Sequence, residues 1–285
     1  MSPVVVVTGA NKGIGYETSK KLIADGAKVI MTDKDESRLG EAASELKPFG
    51  AVKLDTTSED SVKLAKQEIE RLTPRIDVLV NNAGVAHHSE SFELKKAELT
   101  VGINYYGTKR VTKALYPLLS DHGRIVNVCS YLGRLAEVSE PLQKRFSDPN
   151  ATEESIDNLV EEFLTGVKEG DYKERGFNDS MYSMYGLSKL ALIAWTKVLA
   201  REAMADPRKI LVTGCCPGWC RTDLSNHTGR RSAETGAKVV VWLAAEVDYD
   251  PTMSGKLYRD DQEFDWQTGN LLSTGEVYST PTGTN

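Results

Sequence analysis

The chain has 285 residues, 40% apolar and 27% charged, long enough to bury a sizeable core in one large domain. Lys and Arg total 35 against 41 Asp and Glu, and a net charge of −6 argues against a nucleic acid or an anionic membrane as partner. No apolar run approaches the ~20 residues that span a bilayer.

VVVVT at 4–8 is a β-branched run and reads as a buried strand. Beginning so early, it leaves no room for a cleaved leader, so none is expected. A helix follows with Ile14, Thr18, Leu22 and Ile23 on one side. KVIMT (28–32) is a second strand, before a helix that ends near Lys47-Pro48. AVKL (51–54) precedes SEDSVKLAKQEIERL, a helix opening on Ser58 as N-cap with acids in its first turn. IDVLV (76–80), a long helix through GTKRVTKALYPLL, and RIVNV (124–128) come next. After a long middle region, ALIAWTKVLAREAM is helical, KILVTG (209–214) is a strand and GAKVVVWLAAE is helical. The strands are apolar throughout rather than alternating, as expected when both faces are covered. Strand and helix in alternation predict an α/β domain, a doubly wound parallel sheet with right-handed crossovers. The end, STGEVYSTPTGTN, is polar, and 268–285 is expected to be a flexible tail after a domain spanning 1–267.

Directly after the first strand comes TGANKGIG, placing Gly9, Gly13 and Gly15 before a helix as G-x-x-x-G-x-G. Glycine lets a backbone turn tightly and approach a pyrophosphate, whose charge meets the free N–H groups of the helix start. Asp33 ends the second strand, where a carboxylate accepts hydrogen bonds from an adenosine ribose. Asp55, after the third strand, is placed to meet the adenine, and either acid can instead cap a helix. NNAG, Asn81 to Gly84, stands at the carboxyl end of the fourth strand, suited to stabilise a turn, to flank a nucleotide, or both.

SMYSMYGLSK (180–189) raises a choice between two phenols. Tyr185 has Lys189 four residues on, one helical turn away on the same face, whereas Tyr182 has only Gly186 there. A phenol with a pKa of ~10 needs help to exchange its proton near neutrality, and a nearby ammonium favours the phenolate. Tyr185 is therefore the candidate for chemistry and Tyr182 for packing or pocket wall.

TGANKGIG, NNAG, INYYGT, VNVCS, YGLSK and CCPGWCRTD occur in order, and over residues 4 to 260 the chain resembles the short-chain dehydrogenase/reductases. Within them it resembles the monomeric carbonyl reductases. The resemblance implies a Rossmann fold, a nicotinamide cofactor and a catalytic set of Asn104, Ser130, Tyr185 and Lys189. In that set Tyr185 donates the proton, Lys189 also bonds the nicotinamide ribose, Ser130 fixes the carbonyl oxygen, and Asn104 holds a water that reloads the proton. Cofactor contacts would come from Gly9, Asn11, Lys12, Gly13, Ile14 and Gly15, from Asp33, Lys34 and Asp55, and from Asn82, Ala83 and Gly84. Tyr185 and Lys189 would add to them, and Pro217, Gly218 and Thr222 would meet the nicotinamide carboxamide. Trp219, with Tyr131 and Leu132, would line the substrate pocket, although Trp219 also reads as a core aromatic.

The four cysteines form no pair of CxxC motifs, and no neighbouring histidine completes a zinc set, so no metal is expected. Cys129, Cys215 and Cys216 read as reduced thiols in buried strands of a cytoplasmic protein. Cys220, beside the pocket, is a candidate reactive thiol. His87, His88, His122 and His227 match no family role and are expected in exposed loops.

The chain departs from the subgroup at Asp33-Lys34, where carbonyl reductases typically carry a neutral residue and then arginine, and at Cys129, which stands where a small polar or alanine-like residue is usual and is expected to matter little. Asp33 favours NAD(H), while Lys12 and Lys34 are placed to meet the extra phosphate of NADP(H), leaving the latter as the second cofactor. Residues from about 134 to 180, with helical periodicity and many charges, form an insertion before the catalytic helix. It would cover the surface that most relatives use to pair subunits, so a monomer is expected. The implied reaction is hydride transfer to a small-molecule ketone, aldehyde or quinone, with alcohol oxidation as its reverse. A silent dinucleotide sensor would lack Tyr185 or Lys189, and a sugar-nucleotide epimerase would need a longer C-terminal region.

Overall fold

Valines run without a break through β1 (Val4–Thr8), because both sides of the strand are covered. In the computed structural model, which describes residues 2–87, 93–178 and 183–273, Val6 faces one core while Val5 and Val7 face another. The same division holds in β2 (Lys28–Asp33), where Ile30 opposes Val29 and Met31, and in β4 (Ile76–Asn81), where Leu79 opposes Val78 and Val80. β3 (Gly50–Lys53) departs from the expected uniform burial, since it is the edge strand and only Val52 is buried.

Between these strands lie α1 (Gly13–Ala24), α2 (Glu36–Leu46) and α3 (Glu59–Leu72). Ser58 caps α3 as expected, its side chain accepting from Ser61 N–H. The long helix after β4 is interrupted: α4 (Leu94–Val101) and α5 (Thr108–Leu115) flank a π-helical turn, Gly102–Gly107, which carries Asn104. β5 (Leu119–Val128), α6 (Glu140–Phe146), α7 (Glu153–Glu169), α8 (Ser183–Ala205) and β6 (Leu211–Cys215) follow. α9 (Ala233–Val241), β7 (Leu257–Arg259) and β8 (Gln262–Glu263) complete the order.

The sheet runs β3-β2-β1-β4-β5-β6-β7-β8, parallel except for the antiparallel β8. Strand order reverses between β1 and β4, so the connections leaving their carboxyl ends diverge and open a crevice. α8 is buried along most of its length, as expected of a helix caged between the sheet and α7, with Arg201 and Glu202 exposed near its end. The insertion buries Leu142, Phe146, Ile156, Leu159 and Phe163 in the same core.

The expected flexible tail begins too early. Leu271 is buried and bridges Phe264, and Asp265 closes a turn by accepting from Gln267 and Thr268 N–H. Residues 268–273 are therefore folded onto the domain. Tyr182, His88 and residues 274–285 lie outside the described residues. No helix among the described residues is long and apolar enough to cross a membrane.

Candidate active site

The first turn leaves β1 through Gly9, whose φ of +64° is a conformation that favours glycine. A Cβ there would lie 2.8 Å from Ala83 Cα, so the loop after β4 presses directly on the turn. Asn82 locks the two together, its amide donating to Thr8 O at 2.9 Å and Gly9 O at 3.0 Å, while Thr8 Oγ1 accepts from Asn82 and Ala83 N–H. Asn81 points into the core and donates to Thr112 and Asn127, a structural role. Gly13 (φ +57°) faces Thr222, and a Cβ on Gly15 would collide with Gly9 O. Gly15 thus packs the helix onto the turn rather than lining the crevice.

α1, like α4, has neither a side-chain cap nor an acid in its first turn, whereas side chains cap α2, α3, α7 and α9. The first residues of α1, Gly13 and Ile14, border a cleft of about 400 Å³ lined also by Gly9, Asn11, Lys12, Asn82, Ala83, Gly84 and Thr222, among others. Bare amides and a positive helix end suit a pyrophosphate, and the absent Cβ atoms leave room for it.

Asp33, Lys34 and Asp55 line the far end of this cleft. Asp33 Oδ1 accepts from Asp35 N–H at 2.8 Å, and burial raises its carboxyl pKa against the pull of that bond. Asp55 accepts from the N–H and hydroxyl of Thr57, bonds that outweigh burial and lower its pKa, so it closes a turn while bordering the cleft. Lys12 does not stand free for a ribose phosphate as the sequence suggested: its Nζ pairs with Asp223 at 2.5 Å. Arg38, missed from sequence, also lines this end and pairs with Asp35 at 3.4 Å. Arg38 lies one turn beyond the cap residue of α2, a signal available in the sequence, but Asp223 lies 211 residues from Lys12 and gave none.

At the other end, Tyr185 and Lys189 share one turn of α8. Lys189 is 4% exposed, donates to Val128 O at 2.7 Å and places its Nζ 5.7 Å from the centre of the Tyr185 ring. Burial lowers its pKa. Asn104, fully buried, accepts from Val85 N–H at 2.8 Å and donates to Val85 O and Ser188 Oγ, both at 2.9 Å. Both its amide hydrogens are committed, so the side chain ties the loop after β4 to α8. A Cβ on Gly84 would lie 3.2 Å from Asn104 Oδ1 and 3.7 Å from Lys189 Nζ, and its absence leaves a gap bordered by both. Ser130 Oγ accepts from Leu132 N–H at 3.2 Å, which leaves its own hydrogen to donate.

Two substrate-side expectations change, at Tyr131 and Cys220. Tyr131 is 5% exposed, its ring lies under the Arg134 guanidinium at 4.2 Å, and it belongs to the core rather than to a pocket wall. Trp219 is half-buried outside both cores, against its reading as a core aromatic, and Leu132 borders a small cavity with Phe163, Gly186 and Leu187. Cys220 is 4% exposed against Pro217 O, and burial pushes its thiol up to about 11, which disfavours the thiolate a reactive cysteine needs. Gly218 (φ +82°) is backed by Arg231, and neither it nor Pro217 lines the 400 Å³ cleft. His87 is not exposed but half-buried, 3.1 Å from Thr100 Oγ1, whereas His122 and His227 are exposed.

A short chain dehydrogenase family model matches residues 3–141. NADPH carbonyl reductase 3 of Rattus norvegicus is 34% identical over 278 residues, covering 93% of this chain and 99% of its own. (+)-Neomenthol dehydrogenase of Arabidopsis thaliana is 36% identical over 289 residues, covering 90% and 96%. The solved structure of salutaridine reductase from Papaver somniferum superposes with a TM-score of 0.82 at 34% identity, over 90% of this chain and 99% of that one. Likeness of this degree, carried from the glycine turn through the Tyr185 helix to the last strands, means that the chain belongs to the short-chain dehydrogenase/reductase family and is a nicotinamide-dependent oxidoreductase.

Proposed function

We propose that the protein reduces the carbonyl of a ketone, aldehyde or quinone, with Tyr185 as proton donor. The observation that supports this most is the Tyr185–Lys189 pair, a phenol with a buried ammonium 5.7 Å from its ring. A bound reduced nicotinamide supplies the hydride to the carbonyl carbon. The oxygen then carries the electron pair of the former π bond, and Tyr185 delivers the proton that completes the alcohol. Lys189, held on Val128 O, keeps a positive charge beside the phenol as its proton leaves. Ser130 donates to the carbonyl oxygen and fixes its direction. The gap at Gly84 lets a proton return along Lys189 from water. Asn104 maintains that gap by bracing Val85 and Ser188.

For the cofactor we propose a modest preference for NADH, with NADPH usable. The named relative uses NADPH, and here Asp33 opposes that choice. A phosphate carries nearly two negative charges, and each unit pair at ~4 Å in a dielectric of ~20 is worth roughly 4 kcal/mol before desolvation and screening. Lys12 and Arg38 already hold Asp223 and Asp35, so a ribose phosphate would have to share or break those pairs. Cofactor oxidation against an aromatic aldehyde, a quinone, isatin and a steroid ketone tests both parts. Turnover of none of them, or a higher kcat/KM with NADPH than with NADH, would overturn the corresponding part.

We further propose a cytoplasmic monomer. Lys109, 7% exposed along its side chain, lies between Asp157 at 2.5 Å and Glu153 at 3.2 Å, while Tyr105 donates to Asp157 at 2.7 Å and Trp195 to Glu153 at 3.1 Å. α7 therefore covers the α4–α5 and α8 surface inside one chain. Light scattering at micromolar concentration should give the mass of a single chain, 31.3 kDa.

A further inference from the structure

Ser130 caps a short turn, Tyr131–Gly133, that packs against α8. On one side the turn presses on the backbone of α8. A Cβ on Gly133 would lie 2.6 Å from Lys189 C, and one on Gly186 would lie 2.8 Å from Leu132 O. Contacts that close leave no slack toward the helix, so the turn can shift only if its other side gives way.

That other side is the segment after β8. The Trp266 indole N–H donates to Gly133 O at 3.0 Å, a buried bond between residues 133 apart in sequence. Leu135 N–H donates to Trp266 O at 3.1 Å and Ala136 N–H to Gln267 O at 3.2 Å. The same indole, 8% exposed, lies under Lys197 Nζ of α8 at 5.4 Å, and that ammonium is anchored on Gly255 O. Gly269 (φ +80°) brings its backbone against the Tyr131 ring, where a Cβ would collide. Tyr131 N–H in turn donates to Cys216 Sγ at 3.2 Å. One indole thus contacts both the turn that bears Ser130 and the helix that bears Tyr185 and Lys189.

We infer that Trp266 is a positioning residue for catalysis, fixing the Ser130 hydroxyl relative to Tyr185 through its bond to Gly133 and its packing under Lys197. The inference rests on the reading of Ser130 as the donor to the carbonyl oxygen. Trp266→Phe keeps an aromatic ring and deletes the N–H.

The test is a double-mutant cycle of Trp266→Phe and Ser130→Ala, using NADH and the fastest carbonyl of the panel above. Trp266→Phe should lower kcat on the order of tenfold, with the cofactor Kd held within about twofold. In the Ser130→Ala background the same change should cost under about twofold, because a residue acting through Ser130 has nothing left to place. Equal losses in both backgrounds, a fall in Tm with kcat unchanged, or a parallel loss of cofactor affinity would each overturn the inference. If Ser130→Ala is slow and Trp266→Phe is not, the inference alone fails. If Ser130→Ala keeps its full rate, the reading of Ser130 fails and takes the inference with it. Should Trp266→Phe not fold, Gly269→Ala, which pushes a methyl onto Tyr131, must give the same non-additive pattern.

Discussion

At the nucleotide end of the cleft, the positive φ of Gly9 and Gly13 and the side chain of Asn82 set the geometry within a few residues of β1 and β4. At the carbonyl end, Ser130 depends on an indole 133 residues beyond its turn, and Asn104 reaches Ser188 across 84 residues. The first end rests mainly on backbone that approaches closely, pinned by Asn82. The second rests mainly on side chains that bridge separate elements. This difference teaches that cofactor binding and proton delivery should fail separately, and several changes can break or sharpen that separation.

Tyr185→Phe should have the largest effect, lowering kcat by roughly 10²–10⁴-fold while cofactor affinity, followed by fluorescence titration, stays within a factor of about two. A variant that kept most of its turnover would remove Tyr185 from its role. Gly9→Ala should do the reverse. The methyl has to enter backbone space beside Ala83 at a φ that L-residues rarely adopt, at a cost of about 1–3 kcal/mol. Cofactor Kd should rise by roughly tenfold or more, and calorimetry should show a lower Tm. If binding survived intact, the close approach at Gly9 would not matter to the ligand.

Asp33→Ala tests the nucleotide end more gently. The ratio of kcat/KM for NADPH over NADH should increase several-fold, on the order of a single lost charge repulsion, with kcat for the preferred cofactor little changed. An unchanged ratio would mean that Asp33, whose Oδ1 is held by Asp35 N–H, serves only its own turn.

Glu153 links the insertion to α5 and α8 and is not among the residues lining the cleft. Burial raises its pKa, but the bonds from Lys113, Lys109 and Trp195 outweigh this and hold it below the ordinary 4.5. The sign follows from linkage: the stabilisation is complete above the unfolded pKa and is lost as pH falls through the lower folded value. Glu153→Gln should therefore reduce urea stability at pH 7 and flatten its decline between roughly pH 5 and 3, with kcat near that of the unaltered protein. An identical acid profile in the two proteins would show that the tether contributes nothing.

The smallest effect is expected at Cys220. With its thiol pushed up to about 11 by burial, it stays protonated at pH 8 and should resist alkylation in the native state. Mass spectrometry after iodoacetamide treatment should find Cys220 modified only once urea has unfolded the chain.

The sequence by itself determined the alternation of strands and helices, because unbroken valine runs fit only a sheet covered on both faces. It also placed the glycine turn and the Tyr185–Lys189 face, since helical spacing and positive φ are local properties of the chain. The pairing of Lys12 with Asp223, the embedding of Tyr131 beneath Arg134 and Gly269, and the folding back of residues 268–273 were decided only in three dimensions. The same holds for Cys220, whose place beside the pocket motif suggested reactivity but whose burial disfavours the thiolate. Each of these depends on residues far apart in the chain meeting at one point. No periodicity or motif spacing encodes which lysine meets which acid, because that choice is made by the packing that brings the elements together.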